Sequence, residues 1–216
     1  MRIDNNKFKN LLISRKKLCL ILDLDHTLVH STYVYNAEVR SFSYLVKLRP
    51  FVQEFLKEAS KLFEMYIYTL ASRGYALGVA RILDPDGVYF GSRIIASEDS
   101  TEKYEKSLDV VPGVDESFVV ILDDLVRVWS GYLRNLIVVR RYFFFDPPNR
   151  VFRDEHEGSG ALSCALKILK EVHTLYFSRD DLSGDCDVRD LLEIVMKNLY
   201  PFAVVDNYKN VEASDH

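Results

Sequence analysis

The stretch from Leu18 to Asp25 most constrains the fold of this chain. Five apolar residues, Leu18 to Leu22, run directly into Asp23 and Asp25, two carboxylates one residue apart. An unbroken apolar run of this kind is typical of a strand buried on both faces, as in a parallel sheet. In open α/β sheets, ligands bind just beyond the carboxyl ends of such strands. We therefore expect Asp23 and Asp25 to lie at a functional site.

The rest of the chain alternates between strand and helix patterns. Apolar or alternating patterns predict strands at residues 18–22, 42–48, 64–68, 93–96, 117–122 and 135–139, and apolar stripes at helical spacing predict helices at 51–62 and 72–83. The segments 42–48, 51–62 and 64–68 read as one strand–helix–strand unit. This alternation predicts an α/β fold with a largely parallel central sheet that is covered by helices on both faces.

The composition changes after Phe145, where Asp146-Pro-Pro-Asn149 breaks any regular element. Two amphipathic helices are predicted beyond it, at about 161–177 and 188–199. We therefore divide the chain into a lead-in at 1–17, the α/β domain at 18–148, a small C-terminal helical appendage at 149–200 and a polar tail at 201–216. A chain of 216 residues is long enough for one such core with an appendage.

Composition and charge exclude several classes of protein. The formal net charge is −4, so no overall positive field would attract a nucleic acid. The cysteines Cys19, Cys164 and Cys186 lack C-x-x-C spacing, which indicates neither zinc nor a disulfide framework. No apolar run approaches the ~20 residues that span a bilayer, and the polar start lacks a signal-peptide core. We expect an intracellular protein without a membrane anchor of its own.

Several predicted strands end in polar residues that suit a metal site. Asp23 and Asp25 follow one strand, Thr69 follows another, and Asp123 and Asp124 follow a third. If these strands are neighbours, the carboxylates disfavour one another's ionisation unless a cation lies among them. Carboxylate oxygens with room for water and phosphate suit Mg²⁺ better than Zn²⁺.

The same residues suit phosphoryl transfer. A carboxylate such as Asp23 can attack phosphorus and form an acyl phosphate. Asp25 can act as acid and base beside it if the two residues share a face or if the chain starts to turn after the strand. Thr69 and Lys106 are candidates to donate hydrogen bonds to the phosphate oxygens. Lys103 is an alternative to Lys106, since both lie in one polar segment.

The stretch Asp23-Leu-Asp25-His-Thr27 resembles the D-x-D-x-T signature of haloacid-dehalogenase (HAD) phosphatases, specifically the FCP/SCP family. That family removes phosphate from the C-terminal repeat domain of RNA polymerase II. The resemblance implies a three-layer Rossmannoid fold. It continues in order as far as Phe145, through Val46–Pro50, Tyr68–Thr69, Asp84–Gly87, Lys106–Leu108, Ile121–Asp124 and Trp129.

The resemblance assigns roles to the carboxylates. It implies that Asp23 is the nucleophile and Asp25 the general acid and base. Mg²⁺ would be held by Asp23, by the main-chain carbonyl of Asp25 and by Asp124, with Asp123 acting through water. All four aspartates would thus belong to the metal site.

The resemblance also assigns residues to phosphate and substrate. Thr69 and Lys106 would hold the phosphate. Leu24 and Thr27 lie within the signature and would belong to the same phosphate-binding region, with Thr27 in a supporting role. Arg49 would support the substrate side, although it could instead pair with a surface acid.

Other features bear on the branch of the family and on the substrate. The pair Asp123-Asp124 and Trp129 favour the FCP-like branch. Leu125 and Arg127 depart from its pattern, as does Asp146–Asn149, where a Gly-rich stretch is expected. The helical appendage resembles the segment that precedes a BRCT domain in that branch, and no BRCT domain is predicted here.

The resulting hypothesis is a monomeric, nuclear, Mg²⁺-dependent phosphatase that acts on phosphoserine in the polymerase repeat peptide without contacting nucleic acid. One alternative is a non-catalytic phosphopeptide-binding scaffold. Another is a small-metabolite HAD phosphatase, which would need a lid for which the chain leaves little room. His26 and His30 are interpreted as structural residues. The segment Tyr142–Phe145 is either core or an aromatic slot for a proline-containing peptide.

Overall fold

A computed structural model describes residues 5–36, 40–145, 154–178 and 186–199 of the chain. The strands are β1 (Leu18–Leu22), β2 (Val29–Asn36), β3 (Ser41–Leu48), β4 (Phe63–Tyr68), β5 (Ile94–Ile95), β6 (Val119–Asp123) and β7 (Leu136–Val138). The helices are α1 (Asn5–Ser14), α2 (Val52–Leu62), α3 (Arg73–Leu83), α4 (Ala161–Phe177) and α5 (Val188–Leu199). None of these helices is long and apolar enough to cross a membrane.

Five of the strands form a parallel sheet in the order β5-β4-β1-β6-β7. Strand β1 lies at its centre, between β4 and β6, and all five of its residues are buried. Helices flank this sheet, and their apolar faces join the strands in one hydrophobic core. The predicted α/β class with a largely parallel central sheet is confirmed. The order of the strands also places the ends of β1, β4 and β6 side by side.

Strands β2 and β3 form a separate antiparallel hairpin. The prediction missed β2 altogether. The predicted strand, helix and strand at 42–48, 51–62 and 64–68 are present in that order as β3, α2 and β4, but β3 lies in the hairpin and not in the central sheet. The hairpin lies outside the central sheet because many of its side chains are exposed. They include Tyr33, Tyr35, Tyr44 and Leu45. A central parallel strand must be apolar on both faces, and neither hairpin strand meets this requirement. The hairpin and α2 together connect β1 to β4.

The residues predicted as a lead-in contain helix α1. Its Leu12 is buried, and the helix contacts β1. Lys9 Nζ donates to Ser117 Oγ at 2.5 Å. A Cβ atom at Gly113, which has a φ of +75°, would lie 2.8 Å from Phe8, so the chain beneath the helix requires glycine there. This helix therefore packs on the α/β core.

Helices α4 and α5 form the described part of the predicted appendage. Helix α4 packs against α2, and α5 packs against α4 and β6. Their buried residues belong to the same hydrophobic core as the sheet. These helices are thus an outer layer of the domain, while the proposed domain boundaries stay predictions. The predicted break at 146–149 and the tail at 201–216 lie outside the described residues.

Candidate active site

Three carboxylates meet at the carboxyl edge of the central sheet. Leu22 of β1 pairs with Leu122 of β6, and the Asp23 amide still donates to the Leu122 carbonyl at 3.0 Å. One step further along this register, Asp23 lies level with Asp123. Asp23, Asp123 and Asp124 each offer an oxygen that lies within 4.8 Å of those of the other two. The predicted clustering of acids at neighbouring strand ends is therefore present.

Lys106 bridges two of these carboxylates. Its Nζ lies 2.7 Å from Asp23 Oδ1 and 2.6 Å from Asp123 Oδ2, and the residue is 4% exposed. The Lys106 amide donates to the Val128 carbonyl at 2.7 Å, which fixes the lysine beneath the site. Lys103, the alternative in the sequence, is exposed. The structure thus brings Lys106 to the carboxylates and leaves Lys103 at the surface.

Asp123 has a partner for each of its oxygens. Oδ2 accepts from Lys106 and from the Trp129 indole Nε1 at 2.8 Å, and Oδ1 accepts from the Leu125 amide at 2.8 Å. The residue is 1% exposed. Leu125 departs from the family pattern, but this contact is made by its backbone and does not depend on the side chain. Asp123 is therefore held in one orientation.

Asp124 retains an oxygen that can bind a cation. Thr27 Oγ1 donates to its Oδ1 at 3.3 Å. Its Oδ2 is buried and accepts no hydrogen bond from the described residues. Arg141 Nε lies 2.8 Å from this oxygen as an ion pair, but its direction is not that of a hydrogen bond. Three oxygen donors, one of them without a hydrogen bond, fit a divalent metal ion.

The pKa values reflect the excess of negative charge. Burial, and then the charge of Asp123, raise the pKa of Asp23 to about 8 although Lys106 opposes the shift. Burial and Asp123 also raise the pKa of Asp124. Burial alone would lower the pKa of Lys106, but Asp23 and Asp123 outweigh it and raise that pKa. Lys106 and the half-exposed Arg141 together carry one positive charge fewer than the three acids, so the site favours an additional cation.

Asp25 lies on a turn that follows β1. The Leu24 carbonyl accepts from the amides of Thr27, Leu28 and Val29, and His26 has a φ of +63°. The Asp25 carboxylate accepts hydrogen bonds from the hydroxyls of Ser31, at 3.0 Å, and Tyr75. Sequence reasoning missed these two partners because Ser31 belongs to the unpredicted β2 and Tyr75 carries no motif. The hydrogen bonds from Ser31 and Tyr75 fix the orientation of the Asp25 carboxylate, which is predicted to transfer protons.

The Asp25 carboxylate is not a member of the three-carboxylate cluster. Within the described part of the chain, its main-chain carbonyl accepts no hydrogen bond. This carbonyl is therefore free to face a cation. The predicted contribution of Asp25 to the metal site through its backbone stays a prediction.

Thr69 and Leu24 lie at the same level of the sheet. The pairing of Leu22 with Ile67 places Leu24 opposite Thr69 two residues later. Thr69 Oγ1 accepts from the Ala71 amide at 3.1 Å, which leaves its own proton to donate. The Leu24 side chain is fully buried, so a ligand could be contacted only by its backbone. Their predicted roles in phosphate binding stay predictions.

Arg49 lies beneath the site rather than at its opening. Its guanidinium has no exposed surface and pairs with Glu155 through Nε at 3.0 Å and Nη2 at 2.7 Å. It also donates to the carbonyls of Thr27, at 2.9 Å, and Arg140, at 2.7 Å. This geometry does not support a direct contact with substrate. Arg49 instead fixes the turn that carries Thr27, and no sequence pattern marked Glu155 as its partner.

Replacing Glu155 with Gln should lower the free energy of unfolding by about 3 kcal/mol at pH 7, because it leaves the buried Arg49 guanidinium without its charge partner. Burial would raise the pKa of Glu155, but Arg49 outweighs it and the pKa is lowered. The stabilisation is therefore complete above the unfolded pKa of ~4.3 and is lost as the pH falls through the lower folded pKa. Urea denaturation at pH 7 and at low pH measures this difference.

The matched control is Glu157→Gln, which changes an exposed carboxylate two residues away. It should leave the free energy of unfolding within ~0.5 kcal/mol of that of the wild type. Equal stabilities for the two variants at pH 7 would contradict the assignment.

The segment Tyr142–Phe145 is partly core and partly surface. Tyr142 is buried, and its hydroxyl donates to Asp154 at 2.9 Å. His30 Nδ1 accepts from the amides of Phe144 and Phe145, which supports a structural role for this histidine. Phe143 and Phe144 are each 40% exposed. Phe143 and Phe144 therefore place exposed rings beside the site, and the buried Tyr142 anchors the segment.

Comparison with known proteins identifies the family. The model of the NLI interacting factor-like phosphatase family matches residues 18–181. The chain belongs to this family. The matched range starts at β1 and contains all the carboxylates of the site together with Lys106. The resemblance to FCP/SCP-type phosphatases is thereby confirmed.

Curated relatives agree with this family. The chain is 41% identical, over 86% of its length, to RNA polymerase II C-terminal domain phosphatase-like 4 of Arabidopsis thaliana, of which it covers 50%. It is 31% identical, over 87% of its length, to an RNA polymerase II C-terminal domain phosphatase of Caenorhabditis elegans, of which it covers 32%. The chain thus spans half or less of the length of these relatives.

Solved structures support the fold. Fission yeast Fcp1 bound to beryllium fluoride matches 90% of this chain and 74% of its own, with a TM-score of 0.77 and 23% identity. A structure of Fcp1, an essential RNA polymerase II CTD phosphatase, matches the same shares with a TM-score of 0.75 and 24% identity. The parallel sheet with flanking helices therefore has the same fold as Fcp1.

Proposed function

We propose that the chain is a Mg²⁺-dependent protein serine/threonine phosphatase that removes phosphate from phosphoserine in the C-terminal repeat domain of RNA polymerase II. One observation carries the proposal: Lys106 bridges Asp23 and Asp123 inside a buried cluster of three carboxylates. In this proposal Asp23 is the nucleophile, Lys106 is the buried cation and the carboxylates hold the metal, all within one set of contacts. This is the equipment that phosphoryl transfer through an acyl phosphate requires.

In the proposed reaction, the Asp23 carboxylate attacks the phosphorus of phosphoserine, and the bond from phosphorus to the serine oxygen breaks. Asp25 donates a proton to the leaving oxygen. The aspartyl phosphate is then hydrolysed by a water from which Asp25 takes a proton back. Lys106, fixed between Asp23 and Asp123, and the hydroxyl of Thr69 stabilise the charge on the phosphoryl oxygens.

The metal would be held by Asp23, Asp124 and the carbonyl of Asp25, with Asp123 contributing through water. We assign it as Mg²⁺ because every donor is an oxygen and because Asp124 Oδ2 is buried without a hydrogen bond. When bound, the ion would supply positive charge to the transferring phosphoryl group. Its positive charge would also lower the pKa of Asp23, which burial raises.

The substrate assignment rests on the relatives and on the shape of the site. Relatives that align with most of this chain are named polymerase C-terminal domain phosphatases. Where a metabolite phosphatase would need a large lid, the part of the chain that the structure describes places the short hairpin β2–β3 near Asp25. An extended peptide fits this arrangement. A nuclear location follows from the substrate, and we propose a monomer that does not contact nucleic acid directly.

Phosphate release from a panel of substrates tests the proposal. With the full chain and Mg²⁺, repeat peptides that carry phosphoserine should be hydrolysed with kcat/KM at least ~100-fold above those for sugar phosphates, and EDTA should abolish the reaction. Peptide binding without release would support the scaffold alternative. A preference for the sugar phosphates would support the metabolite phosphatase.

A further inference from the structure

Arg141 lies between the carboxylate cluster and solvent. Its Nε is 2.8 Å from Asp124 Oδ2, and its side chain is 47% exposed whereas that of Asp124 is 4% exposed. The guanidinium carbon lies 5.4 Å from the centre of the partly exposed Phe143 ring. Arg141 is thus a cation at the opening of the site, in contact with a carboxylate that is predicted to bind the metal.

The contact between Arg141 and Asp124 is held by charge and not by a directional hydrogen bond. Asp124 Oδ2 accepts no hydrogen bond from the described residues despite the short distance. The guanidinium is half-exposed and can move into solvent, but the Asp124 side chain is 4% exposed and would then be a buried charge without a partner. The guanidinium can therefore leave this carboxylate when a second cation replaces it.

We propose that Arg141 shares Asp124 with the divalent cation, opposes its binding, and becomes available to a phosphate group when the cation takes this carboxylate. Two positive charges beside one carboxylate repel each other, whichever oxygen the cation uses. A guanidinium that faces the site suits a phosphate, which it can contact through two N–H groups. The proposal rests on the metal site and the phosphate substrate of the proposed function.

Two binding measurements on the full chain test this coupling in Arg141→Gln. The dissociation constant for Mn²⁺, followed by the electron paramagnetic resonance signal of the free ion, should fall about tenfold because a competing charge is removed. The dissociation constant for inorganic phosphate, measured by calorimetry at saturating Mn²⁺, should rise about tenfold because a charged donor is lost. Glutamine at a half-exposed position should not disturb folding.

Arg140→Gln is the matched control. Arg140 is the preceding residue, its side chain is 81% exposed, and its guanidinium pairs with Glu155 at 3.3 Å. Both dissociation constants should stay within about twofold of wild type in this variant, because the charge of a side chain that is 81% exposed is strongly screened. The variant therefore separates the loss of a nearby positive charge from the loss of the contact with Asp124.

An unchanged Mn²⁺ or phosphate affinity in Arg141→Gln would overturn the proposal, and so would equal changes in Arg140→Gln. Neither measurement needs turnover. If the affinities change as expected but no phosphopeptide is hydrolysed, the proposed function fails and the coupling stands. If hydrolysis is observed with unchanged affinities, the coupling fails alone.

Discussion

The Asp23→Asn variant should lose at least ~10⁴-fold in kcat on phosphoserine repeat peptides, because an amide cannot replace a carboxylate nucleophile. The substitution preserves the shape of the side chain, and its oxygen can still accept from Lys106, which lies 2.7 Å from Asp23 Oδ1. The fold should therefore be retained. Rates of phosphate release at saturating peptide and Mg²⁺ measure the effect.

Measuring the Asp23→Asn rate in excess Mg²⁺ distinguishes two possible roles of Asp23, that of nucleophile and that of metal ligand alone. If Asp23 served only as a ligand, raising the Mg²⁺ concentration would restore most of the rate. We expect no such recovery. Asp86→Asn, which changes an exposed acid in the turn after α3, is the control and should keep the wild-type rate. Recovery of the Asp23→Asn rate by Mg²⁺ would remove Asp23 from the role of nucleophile.

The Lys106→Met variant should lower both activity and stability. It leaves Asp23 and Asp123 buried without the cation that now lies between them at 2.7 and 2.6 Å. Removing one partner of a buried ionic network costs about 3 kcal/mol, which for a chain of this size lowers Tm by roughly 6–12 °C. The rate of phosphate release should fall about 10³-fold with the loss of a fixed positive charge at the phosphoryl group. Thermal denaturation and phosphate release measure the two effects.

Mg²⁺ should stabilise Lys106→Met more than the wild type, since the ion then provides the missing positive charge to the carboxylates. Lys103→Met is the matched control because it removes an exposed lysine three residues earlier. It should leave Tm and rate unchanged. Equal Tm values for the two variants would contradict the role of Lys106 in neutralising the cluster.

The strands of the central sheet were predictable because their physical signal is local. An unbroken apolar run marks a strand buried on both faces, and Leu18–Leu22 and residues 119–122 are of this kind. Acidic residues at the ends of such runs then indicate a functional site, since neighbouring parallel strands end at the same edge of the sheet. The half-exposed hairpin strand β2 carries no such pattern, so it was missed.

The partners of the site residues were not predictable, because those contacts join residues far apart in the chain. Tyr75 donates to Asp25 from a helix that presents no motif, and Glu155 pairs with Arg49 from outside any predicted element. The resemblance implied that Arg49 supports the substrate side. Its guanidinium is instead buried against Glu155, a contact that no local pattern marks.

Chemical trapping of the intermediate tests the central claim most directly. The wild type and Asp25→Asn are quenched in acid during turnover of a phosphoserine repeat peptide, reduced with borohydride, and digested for mass spectrometry. An aspartyl phosphate is reduced to homoserine, and we expect this product at residue 23. In Asp25→Asn the aspartyl phosphate should form and decay more slowly, since Asp25 is both the acid for the leaving serine oxygen and the base for hydrolysis of the acyl phosphate. A reduced residue at another position, or none in either protein, would contradict the account.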